Sequence, residues 1–393
     1  MLEKKPNETI QEYFKRCYCW DGFIEATRLI DGLTEVEKVQ SKKSFNYLRT
    51  ILGESFINHE SRGNDELIQY LTNNTDWNRR YLIDFTNFLI SIEKQMKFPN
   101  LISNLKTKPS ETLCEIKLMN KFQKSGFNVE VYPNLNIGTK IKEADFKLIN
   151  PQNNEILLVE VSISNQSYRL QKADAIFNKI SQTIYTAPNS FHISFAFLLH
   201  TNIATKLLDQ YLQKIEEMVK RVTNASSFEK IEIENHFKLG ISSDSKQVDY
   251  LEWCKKNKIE PNTMREDFID DNQIARIEVK IKDEMKQLPK DNMSLLIIQN
   301  DFIFYSSQNL KKTITDLQQI LFEKTNIIAL IITSNITMAF GENSTMEYQD
   351  NFFIQDNRTG FGGWYLIIWN HFCDYEISEI TKEKIIRTFT SFK

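Results

Sequence analysis

The chain has 393 residues, of which 41% are apolar and 26% charged, with a formal net charge of −3. That length suggests two or three domains with room for real cores, and the composition excludes a disordered or fibrous class. The charge announces no nucleic-acid partner globally, although residues 101–200 lean the other way, with 11 Lys/Arg against 8 Asp/Glu.

The five cysteines, Cys17, Cys19, Cys114, Cys254 and Cys373, offer neither a disulfide framework nor zinc spacing, which fits a reducing compartment. The N-terminal stretch MLEKKPNETIQEYF has no apolar signal region. The longest apolar runs, Ile327–Ile332 and Tyr365–Trp369, are far too short to span a bilayer. The expectation is a cytoplasmic protein with no membrane partner.

Residues 1–104 read as an all-α N-terminal domain. Glu8–Cys17, Gly22–Ile30, Glu35–Ile51 and Asn78–Met96 carry apolar residues three and four apart. No catalytic constellation occurs there, so a scaffold, partner-binding or self-association role is expected. A second domain is expected over 105–345. Pro109-Ser110 opens a helix, with Ser110 as its cap and Gly126 as its stop. Strands then follow at Phe127–Tyr132, Ala144–Leu148 and Ile156–Ile163, with turn chemistry at Pro151–Asn154. A helix at Arg169–Thr183 and a strand at His192–Leu199 come next. The order is α, β, β, β, α, β.

Further on, Ile203–Val222 is an amphipathic helix, Phe228–Leu239 a strand pair and Tyr250–Asn257 a short helix. Ile274–Leu288 is a helix leading into strands Ser294–Gln299 and Phe302–Tyr305. Leu310–Glu323 is helical and Ile327–Thr333 a buried-type strand. Residues 346–393 form a C-terminal strand pair and helix, with Phe352–Ile354 and Tyr365–Trp369 pairing across the turn at Gly360–Gly363. That Gly-rich turn lacks the Lys-Ser/Thr of a phosphate loop, and the five histidines show no metal spacing.

The chemistry concentrates in residues 111–164. Strand side chains alternate faces, so Leu157, Val159, Val161 and Ile163 point one way while Leu158, Glu160 and Ser162 point the other. A strand this apolar is buried on both faces. A glutamate in its middle is costly unless a cation or strong hydrogen bonds compensate. Asp145 opens the preceding strand, and hairpin pairing brings it to the same end as Glu160. Two carboxylates at one sheet end suit magnesium, which takes one or two protein carboxylates and fills its shell with water and phosphate oxygens. Such an ion activates water and polarises a phosphodiester. Glu115 lies in line with Leu118 and Phe122, at i, i+3 and i+7, and so borders a packed face. Glu111, one turn earlier, is the alternative.

A helix with an inward Glu, then three strands bearing Asp and Glu-x-Lys, then a helix and a strand, resembles the core of the PD-(D/E)XK superfamily, the restriction-endonuclease-like nucleases. Glu115 matches the helical acid, Asp145 the first motif acid and Glu160 the second. The resemblance implies an α/β fold, with a mixed sheet flanked by helices. It implies magnesium-dependent hydrolysis of nucleic-acid phosphodiesters, with manganese as the alternative ion, by an endonuclease in the first place. DNA stands ahead of RNA as partner, in prokaryotic restriction or anti-phage defence.

Ser162 departs from that pattern, because the family has lysine there. A neutral hydroxyl cannot steady developing charge. Two outcomes follow: a lysine comes from elsewhere, or the module is catalytically inactive and only binds nucleic acid or scaffolds a complex. Lys179 and Lys172, on the helix after the third strand, are one set of substitutes. Lys280, Lys282, Lys286 and Gln287, on the helix before Ser294–Gln299, are the other. If that later helix belongs to the core, residues about 165–270 are an insertion.

Overall fold

The computed structural model describes residues 3–57, 66–137, 140–164, 168–186, 193–201, 203–225, 227–266, 273–301, 310–322, 324–335, 341–358 and 362–391. The chain forms two compact units, one of Met1–Ser164 with Gln273–Lys393 and one of Asn165–Asn272. No described helix is long and apolar enough to cross a membrane.

The first unit opens with α1 (Ile10–Cys17), α2 (Trp20–Thr27), α3 (Glu35–Leu52), α4 (Glu66–Thr72), α5 (Asp76–Ile92) and α6 (Phe98–Thr107). Helices α1 and α3 start at capping boxes, Thr9 with Glu12 and Thr34 with Glu37, each satisfying two otherwise orphan amides. Helix α7 (Pro109–Lys124) starts at the proline itself, where the missing N–H costs nothing, and not after a Ser110 cap. No unit boundary falls near residue 104. Trp20, Phe45, Leu82 and Leu105 belong to one apolar cluster with Phe122, Phe146 and Val159. The first hundred residues are therefore helical but share their core with the sheet, and so do the C-terminal residues Ile367 and Phe389.

That sheet has eight strands in the order β1-β4-β5-β10-β11-β14-β13-β12. Their ranges are β1 (Asn128–Val131), β4 (Phe146–Ile149), β5 (Ile156–Ile163), β10 (Ser294–Gln299), β11 (Ile327–Asn335), β12 (Ser344–Tyr348), β13 (Asn351–Asp356) and β14 (Gly363–Trp369). The central strands β5, β10 and β11 are parallel and the flanking pairs antiparallel. The sheet is thus mixed. Alternation along each strand divides the core in two. Leu295 and Ile297 join the cluster that holds α7 and α13 (Glu379–Thr390). Leu296 and Ile298 join the one that holds Ile277 and Ile281 of α11 (Gln273–Glu284) and Leu317 of α12 (Leu310–Leu321). Helices therefore cover both faces, as parallel strands require.

A hairpin of β2 (Asn134–Ile137) and β3 (Lys140–Glu143), not expected from the sequence, stands between β1 and β4. At the β1 edge, the Gln95 side chain donates to the Val129 carbonyl at 2.7 Å and accepts from the Val131 amide at 2.9 Å. It does there what another strand would do, which protects the edge.

The second unit contains α8 (Tyr168–Tyr185), β6 (Ser194–Leu199), α9 (Thr205–Ala225), β7 (Phe228–Ile233), β8 (Phe237–Ser242), α10 (Val248–Asn257) and β9 (Met264–Glu266). Its four strands run β7-β8-β6-β9. Ile180, Ile215 and Val219 pack with Phe197 and Leu239, while Tyr250 and Trp253 pack with Ala196 and Leu198. Gly240 is required beneath Trp253, since a Cβ there would lie 2.5 Å from the indole ring.

The strand after β5 in the first sheet is β10 and not β6, which sits in the second unit's own sheet. Helix α11 therefore leads into the strand beside Glu160. The expected strand Phe302–Tyr305 and the expected turn residues Gly360 and Phe361 lie outside the described residues.

Candidate functional site

Strands β4 and β5 pair antiparallel with Phe146 opposite Val159. One step further, the same register sets Asp145 opposite Glu160. Phe146 and Val159 face the cluster that holds α7, so Glu160 points to the other face. Its neighbour there is Leu296, its register partner on β10, which packs with Ile277 and Ile281 of α11. Ser162, also buried, follows two residues along and pairs with Ile298.

Glu160 is only 3% exposed. Its carboxyl lies beside that of Asp145, and its Oε1 is buried with no hydrogen-bond partner among the described residues. Asp145 is half-buried, and its Oδ2 accepts from the Val161 amide at 2.7 Å. Burial, then the neighbouring Asp145 carboxyl, pushes Glu160 well above the usual carboxylate range. Burial also raises Asp145, against the lowering effect of the Val161 amide. The interaction between the two carboxyls lowers Asp145 and raises Glu160.

Glu115 arrives from α7 on the opposite face. It is buried, while Glu111 one turn earlier is exposed. Its Oε2 accepts from the Tyr132 hydroxyl at 2.8 Å. Burial first, and the Asp145 charge second, push its carboxyl up to about 8.

A further acid, Glu284, raises both Asp145 and Glu160 through its charge. It ends α11 on the stripe of Ile277 and Ile281, at i, i+4 and i+7, and is half-buried. Gln287 donates to its Oε2 at 2.6 Å. Glu284 stands to Ile277 and Ile281 as Glu115 stands to Leu118 and Phe122, a spacing present in the sequence.

The expected lysines divide. Lys280 shares the stripe of Glu284, at i and i+4. Lys282 pairs with Glu278 at 2.6 Å and Lys286 with Asp283 at 2.8 Å, both lysines being exposed. Lys172 and Lys179 belong to α8 of the second unit, where Lys179 stands 4.0 Å from Asp209. A cation that sequence reading missed, Lys108, lowers Glu115 from the start of α7.

Among the described residues, no group of three or more His, Cys, Asp or Glu side chains is arranged to hold a metal ion. The contact pair is Asp145 with Glu160; Glu115 and Glu284 act on it through their fields. Two carboxylates, one carrying an unpartnered buried oxygen, fit a hard divalent cation that completes its shell with water and phosphate. Compared with protein-family models, curated proteins and solved structures, the chain matches none.

Proposed function

We propose that this chain is a divalent-metal-dependent nuclease that hydrolyses nucleic-acid phosphodiester bonds, with restriction or anti-phage defence in a prokaryote as its setting. The carrying observation is Glu160, buried in the middle of a strand, facing Asp145, with Oε1 lacking a partner among the described residues. A folded chain keeps such a group only if something repays its desolvation.

Asp145 and Glu160 would hold magnesium or manganese. Bound there, the ion lowers the pKa of a water and neutralises charge on the phosphate. The Val161 amide, bonded to Asp145 Oδ2, would fix that carboxylate for this role. Glu115 is placed to accept a hydrogen bond from the attacking water. Glu115 would take that water's proton as its oxygen bonds to phosphorus, and the leaving sugar oxygen would take a proton from solvent as its bond to phosphorus breaks. Lys280, one helical turn before Glu284 on α11, is the candidate for steadying charge on the phosphate.

Purified protein incubated with duplex and single-stranded DNA and with RNA tests this. Cleavage that requires magnesium or manganese, and that Glu160→Gln abolishes, is expected. Absence of metal-dependent cleavage on every substrate would sink it.

A second reading is a nuclease-like module that binds nucleic acid, or scaffolds a complex, without cutting. Ser162 favours it, because a neutral side chain lies on the face of Glu160. Nucleic-acid binding with a metal-dependent rise in Tm but no cleavage is the outcome that selects it.

A further inference from the structure

Tyr132 has a backbone that tyrosine rarely adopts. Its φ is +47°, in the left-handed region where the Cβ crowds the following carbonyl. Something must hold it there. Its amide donates to the Asp145 carbonyl at 3.1 Å. Its hydroxyl donates to Glu115 Oε2 at 2.8 Å and accepts from Asn104 Nδ2 of α6 at 3.1 Å. Because Asn104 donates into the phenol oxygen, the hydroxyl hydrogen must point elsewhere, and Glu115 is the acceptor in reach. The residue is 5% exposed. One buried, strained side chain therefore grips the backbone of one site acid and the carboxyl of another.

We propose that Tyr132 is a positioning residue of the acid site: it fixes the rotamer of Glu115, so that the oxygen not bound to the phenol faces the Asp145–Glu160 pair. This rests on the metal-site reading above. Residues that orient a ligand from behind are worth about 10–100-fold in metal affinity when removed. Glu115 comes from a helix on the other face from Glu160, and a mobile carboxyl there would occupy several rotamers. The phenol removes that freedom. Asn104 carries the same restraint back to α6, so the helices of the first hundred residues reach the acid site through two hydrogen bonds.

The test is manganese binding to the full chain, followed by calorimetry and by the loss of the free-ion electron paramagnetic resonance signal. Tyr132→Phe keeps the ring and removes only the hydroxyl. Affinity is expected to fall about tenfold. Glu115→Gln is expected to weaken binding as well, and the double variant to be no weaker than Glu115→Gln alone, since the phenol acts only through that carboxyl. Ring packing by itself would not produce such non-additivity. Should Tyr132→Phe not fold, Asn104→Ala carries the same expectation, because it removes what aims the hydroxyl. Wild-type affinity in whichever variant folds, or full additivity in the double variant, overturns the positioning role while leaving the metal site standing. No manganese binding by the wild type overturns the metal-site reading, and this inference with it.

Discussion

Asp145 accepts a hydrogen bond from the Val161 amide at 2.7 Å, across the hairpin and one residue past the strand pairing of β4. That bond ties the aspartate to the strand that carries Glu160 and holds the two carboxyls face to face. It also spends one oxygen of Asp145 on the backbone, so the pair presents fewer free oxygens than two exposed acids would. The consequences for cations, protons and neighbouring charges can be measured.

The pair should bind divalent cations. Magnesium or manganese at about 100 times its Kd stabilises the folded chain by about 2.7 kcal/mol. In a unit of this size that raises Tm by on the order of 5 °C. Asp145→Asn and Glu160→Gln should each erase the shift. Differential scanning fluorimetry with a chelator control reads it, and an equal shift in the variants would place the ion elsewhere.

Stability without metal should fall as pH rises. Burial holds the carboxyl of Glu115 up to about 8 from an ordinary 4.5, and raises Asp145 and Glu160 as well. Above about pH 4 the unfolded chain has lost these protons and the folded chain keeps them, so folding takes protons up and stability declines with pH. The contribution is whole below the unfolded values and is lost as pH passes the raised ones. Denaturant titrations from pH 5 to pH 8.5 should show this slope, and Glu160→Gln should flatten it. Since a cation binds the ionised carboxylates, metal binding should tighten over the same range. A metal-free protein that gains stability from pH 5 to pH 8.5 relative to Glu160→Gln would contradict the buried-acid account.

Glu284 should be a source of repulsion in the metal-free protein. Removing its charge with Glu284→Gln is expected to stabilise that form by roughly 0.5–1 kcal/mol. The same variant should bind manganese less tightly. Chemical denaturation with and without the ion checks both signs, and a destabilised metal-free variant would show that its bond to Gln287 matters more than its charge.

The lysine question has a rescue experiment. Lys280→Ala should lower cleavage about a hundredfold, while Lys282→Ala and Lys286→Ala leave it unchanged, because those lysines are exposed and paired with acids of α11. Ser162→Lys in the Lys280→Ala background should restore activity, since residue 162 lies on the face of Glu160. Rates that ignore Lys280 and respond to Lys108 would move the role to the start of α7.

Much of the local structure was legible because it follows from short-range rules. The alternation of Ile156–Ile163 and the turn at 151–154 are matters of a few adjacent residues. The helical character of the first hundred residues was legible too, but not that their core is continuous with the sheet. An amphipathic stripe shows that a helix packs without showing what it packs on. The β2–β3 hairpin was missed because four-residue strands carry too little pattern to distinguish from a loop.

The acids divide along the same line. Glu160 was conspicuous as a charge within an apolar strand, and Asp145 followed from its place in the hairpin. Glu284 and Tyr132 drew no attention. One needed α11 to be laid against β10, the strand beside β5, by residues 277 and 281, more than a hundred positions from Glu160. The other needed a left-handed backbone and two long-range hydrogen bonds.

By itself, then, the order of residues determined which segments coil, which extend, and that one acid would be buried at a cost, because those properties depend on periodicity and hydration along a few turns of chain. Only the tertiary structure decided that β10 rather than β6 lies beside Glu160, and that acids from helices on both faces surround the Asp145–Glu160 pair. Strand neighbours and facing side chains are chosen by the packing of distant surfaces, and Coulomb energy depends on separation in space, which chain position does not encode.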